Sequence, residues 1–175
     1  MIEKTLSQKY HFKSKIMNMR GDEVIVGERK TTREVCEHCD GVAVLPITED
    51  GDVILVSQYR YPFGVEVLEV PAGKVEPGEE HFNCGVRELS EETGYSAEKM
   101  EYLGFVYPSP GCMTERIHLY IARELSEGET HPDEGEFVEV KRFPLSEVIK
   151  MCDEGKIDDA KTAVLILRAA RMLGL

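Results

Sequence analysis

The stretch PAGKVEPGEEHFNCGVRELSEETGY, running from Pro71 to Tyr95, decides how the rest of the chain reads. The spacing after the Pro77-Gly78 turn predicts a helix, with Arg87, Glu88, Glu91 and Glu92 near its end. Side chains three and four positions apart are neighbours on a helix, so Glu88, Glu91 and Glu92 project from one side. Phe82, Val86, Leu89 and Thr93 form the opposite, core-facing stripe of an amphipathic element. Three carboxylates this close repel one another, and a hard divalent cation with oxygen ligands turns that repulsion into binding. The competing reading is a solvated acidic helix face with i,i+4 pairs.

Composition narrows the function classes. A chain of 175 residues suits one domain with a real core, and 42% hydrophobic with 31% charged residues describes an ordinary globule. The formal charge of -12 argues against nucleic acid or an anionic membrane surface as partner, because both require basic patches. A phosphate-bearing small molecule would also be repelled unless metal ions neutralise the site. The opening residues MIEKTLSQKY lack the apolar core of a signal peptide, and no run reaches membrane-spanning length. Five scattered cysteines fit free thiols in a reducing compartment, so a cytoplasmic location is expected.

Upstream of the helix, residues 1–40 alternate in short runs such as Lys15-Ile16-Met17, Val24-Ile25-Val26 and Arg33-Glu34-Val35-Cys36. With Gly21-Asp22 as a turn, the pattern predicts a small β-meander whose polar positions need a partner surface, such as a second subunit. Cys36-Glu37-His38-Cys39 has C-x-x-C spacing but no second pair, so strand cysteines are favoured over a zinc site. Gly41 to Pro46 and Val53 to Val56 are nearly continuous apolar runs around Glu49-Asp50-Gly51-Asp52, expected as a hairpin of buried strands. Arg60 stands between two tyrosines, where a surface cation-π contact competes with a ligand role.

Downstream, strands are expected at Met100 to Tyr107, Arg116 to Ala122 and Phe137 to Phe143, with an acidic loop at Glu127 to Glu136. Leu145 to Asp153 reads as a short helix stopped by Gly155. Asp159 can cap a final helix through Leu173 with Ala163, Val164, Leu167 and Ala170 inward. The architecture is α+β, without the regular alternation or Gly-rich loops of nucleotide-cradling folds.

As spacing, the opening stretch is Gly73, five residues, Glu79, seven residues, then Arg87-Glu88-Leu89-Ser90-Glu91-Glu92-Thr93-Gly94-Tyr95. It resembles the complete Nudix box, G-x5-E-x7-R-E-U-x-E-E-x-G-U, with every fixed identity matched. A chance match at one start is on the order of 10⁻⁸. Tyr95 is a less usual last apolar residue, and Cys84-Gly85 replaces a small pair. Gly73 and Gly94 are read as turn residues on either side of the helix. Glu79 is placed to pair with Arg87, which would hold the acidic face in register.

The flanks are similar to the ADP-ribose pyrophosphatase branch over about residues 30–170. The matching segments are Gln58-Tyr59-Arg60-Tyr61-Pro62, Leu68 to Gly73, Ser109-Pro110-Gly111, Asp133 to Val140 and Asp159-Ala160-Lys161-Thr162. The resemblance implies a Nudix-type α/β/α sandwich with a mixed central sheet and an additional N-terminal antiparallel β-sheet. Residues 1–40 would serve dimerisation and substrate binding, and residues 41–175 would be the catalytic domain.

The resemblance also implies chemistry. The substrate would be a nucleoside diphosphate sugar, first ADP-ribose, hydrolysed to AMP and ribose 5-phosphate. Mg²⁺ (or Mn²⁺ in its place) would be held by Glu88, Glu92, Glu91 and the backbone carbonyl of Ala72, offsetting pyrophosphate charge and acidifying the attacking water. The general base falls on the acidic loop, Glu136 first and Glu134 second. Glu91 and Arg87 complete the catalytic set. Arg60 suits bidentate contact with phosphate or terminal ribose, and Glu115 falls where relatives carry an acidic residue near that ribose. With no Trp in the chain, no adenine-stacking residue is assigned. A broader diphosphate-sugar pyrophosphatase is the alternative, and a non-catalytic ADP-ribose sensor is a third reading. The expected assembly is a homodimer.

Overall fold

The computed structural model describes residues 2–131, 135 and 137–175. The chain packs as two compact units, one built from the residues up to Asp40 with Tyr107–Arg116, the other from Gly41–Val106 with Ile117–Leu175.

In the first unit, β1 (Lys4–Lys13), β2 (Met17–Val26) and β3 (Arg29–His38) form an antiparallel sheet in the order β1-β2-β3. Gly21-Asp22 is not a turn but lies inside β2, where Gly21 pairs with Lys9 and Glu34. The glycine makes room for a neighbour, since a Cβ there would stand 2.9 Å from the His11 ring. The chain instead reverses at Gly27, in the left-handed region at φ 62°. Tyr107–Arg116 is tied to β3, with Cys36 N donating to Cys112 O at 2.7 Å and Thr114 N to Cys36 O at 3.1 Å.

The second unit holds β4 (Gly41–Pro46), β5 (Asp52–Arg60), β6 (Val65–Glu69), β7 (Ala72–Lys74), α1 (His81–Thr93), β8 (Tyr95–Val106), β9 (Ile117–Glu127), β10 (Val138–Pro144), α2 (Leu145–Asp153) and α3 (Ala160–Leu173). A mixed sheet runs β7-β4-β9-β8, with β4 and β9 parallel and the other pairs antiparallel. A second, antiparallel sheet runs β10-β5-β6. The expected hairpin of residues 41–46 and 53–56 is therefore replaced by two strands in different sheets. Both runs are apolar on both faces, which suits interior strands covered on each side rather than a hairpin with a wet face. Among the described residues, backbone pairing near the two runs is limited to an isolated bridge between Ile47 and Val53.

Alternation along β4 and β9 sends side chains to two cores. Ala43, Leu45, Leu119 and Ile121 pack with Val53 and Leu55 of β5, Leu145 and Val148 of α2, and Leu165, Ile166 and Ala169 of α3. Val42, Val44, Tyr120 and Ala122 face the other way, onto Cys84 and Leu89 of α1. Layers of helix, sheet, and sheet with helices follow, as the α+β sandwich requires.

Two helical stripes overlap the expected arcs only in part. Helix α1 buries Cys84, Gly85, Glu88, Leu89, Glu92 and Thr93, while Phe82 and Val86 are exposed. Gly85 explains the rotation, because a Cβ there would lie 3.1 Å from both Met100 and Val42, so the helix approaches the sheet through its smallest residue. Helix α3 buries Thr162, Leu165, Ile166, Ala169 and Ala170, leaving Leu167 exposed. The period holds, and Leu89, Thr93 and Ala170 of the expected stripes are buried, with Ala163 and Val164 packed against the core; the arcs are shifted toward Gly85 and Thr162, which do not look apolar.

Candidate active site

The acidic face of α1 is built against β7. The left-handed Gly94 (φ 75°) ends the helix, its N donating to Ser90 O. At the other end, Gly78 (φ 85°) turns the chain, and Glu76 N donates to Glu79 Oε2 at 2.9 Å. Arg87 gathers the motif. Its Nε and a terminal nitrogen donate to the two oxygens of Glu79 at 3.0 and 3.2 Å. Another terminal nitrogen donates to Glu88 Oε1 at 2.8 Å and Glu91 Oε2 at 2.9 Å. The Lys74 carbonyl accepts at 3.2 Å, so Arg87 stitches helix, loop and strand together. The guanidinium holds the Glu79 carboxyl below the usual carboxylate range.

Glu88 and Glu92 are buried for glutamates, at 9% and 5% exposure. Glu92 Oε2 accepts from Ala72 N at 3.0 Å. The Glu88 carboxylate lies over Gly73, where a Cβ would come within 1.8 Å of Oε1. Gly73 sits in a strand and does not have positive φ, so this glycine supplies space, not a turn. The structure thus brings Ala72, Glu88, Glu91, Glu92 and Arg87 together.

Among the described residues, no group of three or more His, Cys, Asp or Glu side chains is arranged to hold a metal as placed, and Arg87 is bonded to both Glu88 and Glu91. The donors themselves fit a hard divalent ion. They are carboxylate and carbonyl oxygens, with the strand brought against them by a glycine that a Cβ would exclude. Cys84, nearby, is no nucleophile, because burial, with Glu79 and Glu88 beside it, pushes its thiol up to about 12.

Arg60 is not in a tyrosine sandwich but clasps Glu69. Its Nε donates to Oε1 at 2.5 Å and a terminal nitrogen to Oε2 at 2.7 Å. Glu69 is 2% exposed and also accepts from Lys161 Nζ at 2.5 Å. Burial opposes ionisation of Glu69, yet Arg60 and Lys161 outweigh it and hold the carboxyl below its ordinary range. A cavity of 530 Å³ opens here, lined by Arg60, Glu69, Phe63 and Lys161 among others. The roles of Glu69 and Lys161 were invisible in sequence, because their pairing joins residues 92 apart.

Glu115 lies in the first unit, 3.4 Å from His38 Nδ1. Glu134 and Glu136, the expected bases, lie outside the described residues.

Comparison with known proteins addresses the family and the fold. A sequence model of the NUDIX domain matches residues 37–165. The chain is 40% identical over 167 residues to an ADP-ribose pyrophosphatase of Bacillus subtilis, covering 94% of this chain and 90% of that protein. It is 38% identical over 167 residues to a methanol dehydrogenase activator of Bacillus methanolicus, with coverage of 94% and 90%. A GDP-mannose pyrophosphatase of Yersinia enterocolitica is 34% identical over 153 residues, covering 82% of this chain and 79% of that protein. The solved structure of an ADP compounds hydrolase superposes with a TM-score of 0.88, covering 99% of this chain and 95% of that chain, at 19% identity, which speaks to the fold alone.

Proposed function

The chain belongs to the Nudix family and is a Nudix hydrolase, and from that premise we propose that it hydrolyses the pyrophosphate of ADP-ribose, with Mg²⁺, to AMP and ribose 5-phosphate. The observation that carries the reading is the buried acidic face of α1 held against β7, with Glu92 on Ala72 N and Glu88 over Gly73. When bound, a divalent cation neutralises pyrophosphate charge and makes the attacking water more acidic.

Glu88, Glu91, Glu92 and the Ala72 carbonyl would hold that cation, and Mn²⁺ would substitute. Arg87 keeps Glu88 and Glu91 in register and ties them to Glu79 through the bonds described above. Glu136, with Glu134 as second choice, takes the proton of the attacking water. Arg60 binds the substrate's phosphate or ribose oxygens. Its two bonds to Glu69 use Nε and one terminal nitrogen, which fixes the guanidinium plane and leaves the other nitrogen directed elsewhere. Glu115 is retained for ribose recognition on the sequence resemblance. We place the protein in the cytoplasm as a homodimer with no nucleic-acid or membrane partner. The exposed Leu6, Phe12 and Met19 of the first unit support the dimer.

Glu92→Gln tests the reading. Turnover of ADP-ribose in Mg²⁺ should fall by about 100-fold or more with the melting curve unchanged; undiminished turnover would overturn it. The similarity to a GDP-mannose pyrophosphatase favours one further reading, a broader diphosphate-sugar pyrophosphatase. Competition between ADP-ribose and GDP- or UDP-hexoses separates the two, because preference for a hexose displaces ADP-ribose as the substrate.

A further inference from the structure

Behind the acidic face, the first turn of α3 holds the segment that delivers Ala72. Pro71 has no N–H, so residues 70–72 carry two backbone donors, Val70 N and Ala72 N. Ala72 N is taken by Glu92. Val70 N, in a residue with no exposure, donates to Thr162 Oγ1 at 2.8 Å. Thr162 is itself fully buried, and its hydroxyl donates to Asp159 Oδ2 at 2.5 Å. The same oxygen caps α3 by accepting from Thr162 N at 2.9 Å. One residue away, Lys161 Nζ donates to Glu69 Oε2 at 2.5 Å and to Asp159 Oδ1 at 3.0 Å. Helix α3 is therefore joined by one side chain to the segment that enters β7 and by its neighbour to the carboxylate that clasps Arg60.

We propose that Thr162 and Lys161 are positioning residues for the hydrolase site: the Thr162 hydroxyl, through Val70 N, fixes where Ala72 lies against Glu88 and Glu92, and Lys161, through Glu69, fixes the orientation of Arg60. The inference rests on the functional reading above, since it takes Ala72 and the acidic face as one metal site. Downstream, β7 is paired to β4, with Ala43 opposite Ala72 and Val44 N donating to Pro71 O at 2.9 Å, and Ala72 N is held by the acidic helix itself; upstream of the proline, Thr162 is the partner that holds Val70 N. Without the hydroxyl, the buried Val70 N loses its acceptor, and the segment entering β7 shifts at that end, which changes how Ala72 sits against Glu92. A merely structural role for Thr162 would affect melting and leave metal affinity alone.

The experiment uses the full chain. Thr162→Val keeps the shape and removes the hydroxyl, and Thr162→Ser keeps the hydroxyl. Mn²⁺ binding to substrate-free protein, followed by electron paramagnetic resonance below each variant's melting temperature, should weaken about tenfold in Thr162→Val and stay within about twofold in Thr162→Ser. Lys161→Met should raise the KM for ADP-ribose about fivefold, more than it lowers kcat, with Lys161→Arg recovering most of the loss. If Thr162→Val does not fold, the Lys161 pair carries the test. Folded Thr162→Val with parental Mn²⁺ affinity, or Lys161→Met with parental KM, overturns the proposal while a functioning parent leaves the hydrolase reading standing. A parent that binds no Mn²⁺ and cleaves no diphosphate sugar overturns both.

Discussion

Gly73 and Glu69 show how much one position carries. Gly73 stands out in the sequence as a fixed motif residue, yet a turn glycine and a close-approach glycine are spelled alike. Only the nearby Glu88 carboxylate reveals the second role. Gly73→Ala should leave the fold in place, because the obstructing group is the end of a movable side chain, while displacing Glu88. Activity should fall at least about tenfold with a small change in melting temperature, measured by product release and calorimetry on the same preparation. Glu69 is a buried carboxylate with two cations, and its folded pKa lies below the unfolded value of about 4.3. Its stabilisation is therefore present above that value and lost as pH falls through the lowered folded pKa. Urea midpoints from pH 7 to 3 should show this acid limb. Glu69→Gln should lower stability at pH 7 by about 3 kcal/mol and flatten the limb.

The elements were legible in kind and less so in orientation. Helix α2 and the last residue of α3 fall where the apolar period and Gly155 put them, and Asp159 caps α3 as expected. The faces of α1 and α3 were legible only in part, because their inner arcs also contain Gly85, Glu88, Glu92 and Thr162, residues that hydrophobic patterning assigns to water. Leu89, 1% exposed among Val42, Val44 and Tyr120, was placed correctly. Leu89→Ala should destabilise by about 2–5 kcal/mol, read from chemical denaturation. Glu80, the residue that precedes helix α1 at its N-cap, has extended backbone and no side-chain cap bond. Glu80→Ser supplies a cap and should raise stability by about 0.5–1 kcal/mol in the same assay, provided the hydroxyl reaches the first-turn amides.

For the whole molecule, the net charge of -12 meets a substrate that is also an anion, so binding should depend on divalent cations. Chelation with EDTA should abolish turnover, Mg²⁺ or Mn²⁺ should restore it, and calorimetric titration of ADP-ribose should show much weaker binding without the ion. The sequence by itself determined the chemistry: a complete spacing of Gly73, Glu79, Arg87, Glu88, Glu91, Glu92 and Gly94 is local, and a helix converts local spacing directly into one acidic face. It also determined the α+β class, because strand and helix periods are local properties. Tertiary structure alone decided that β4 and β5 part into different sheets, that Gly73 makes room for a carboxylate, and that Thr162 and Lys161 of α3 stand behind Val70 and Glu69. The last of these pairings joins residues 92 positions apart. Such pairings are chosen by burial and by the need to satisfy buried donors and charges, which no local pattern encodes.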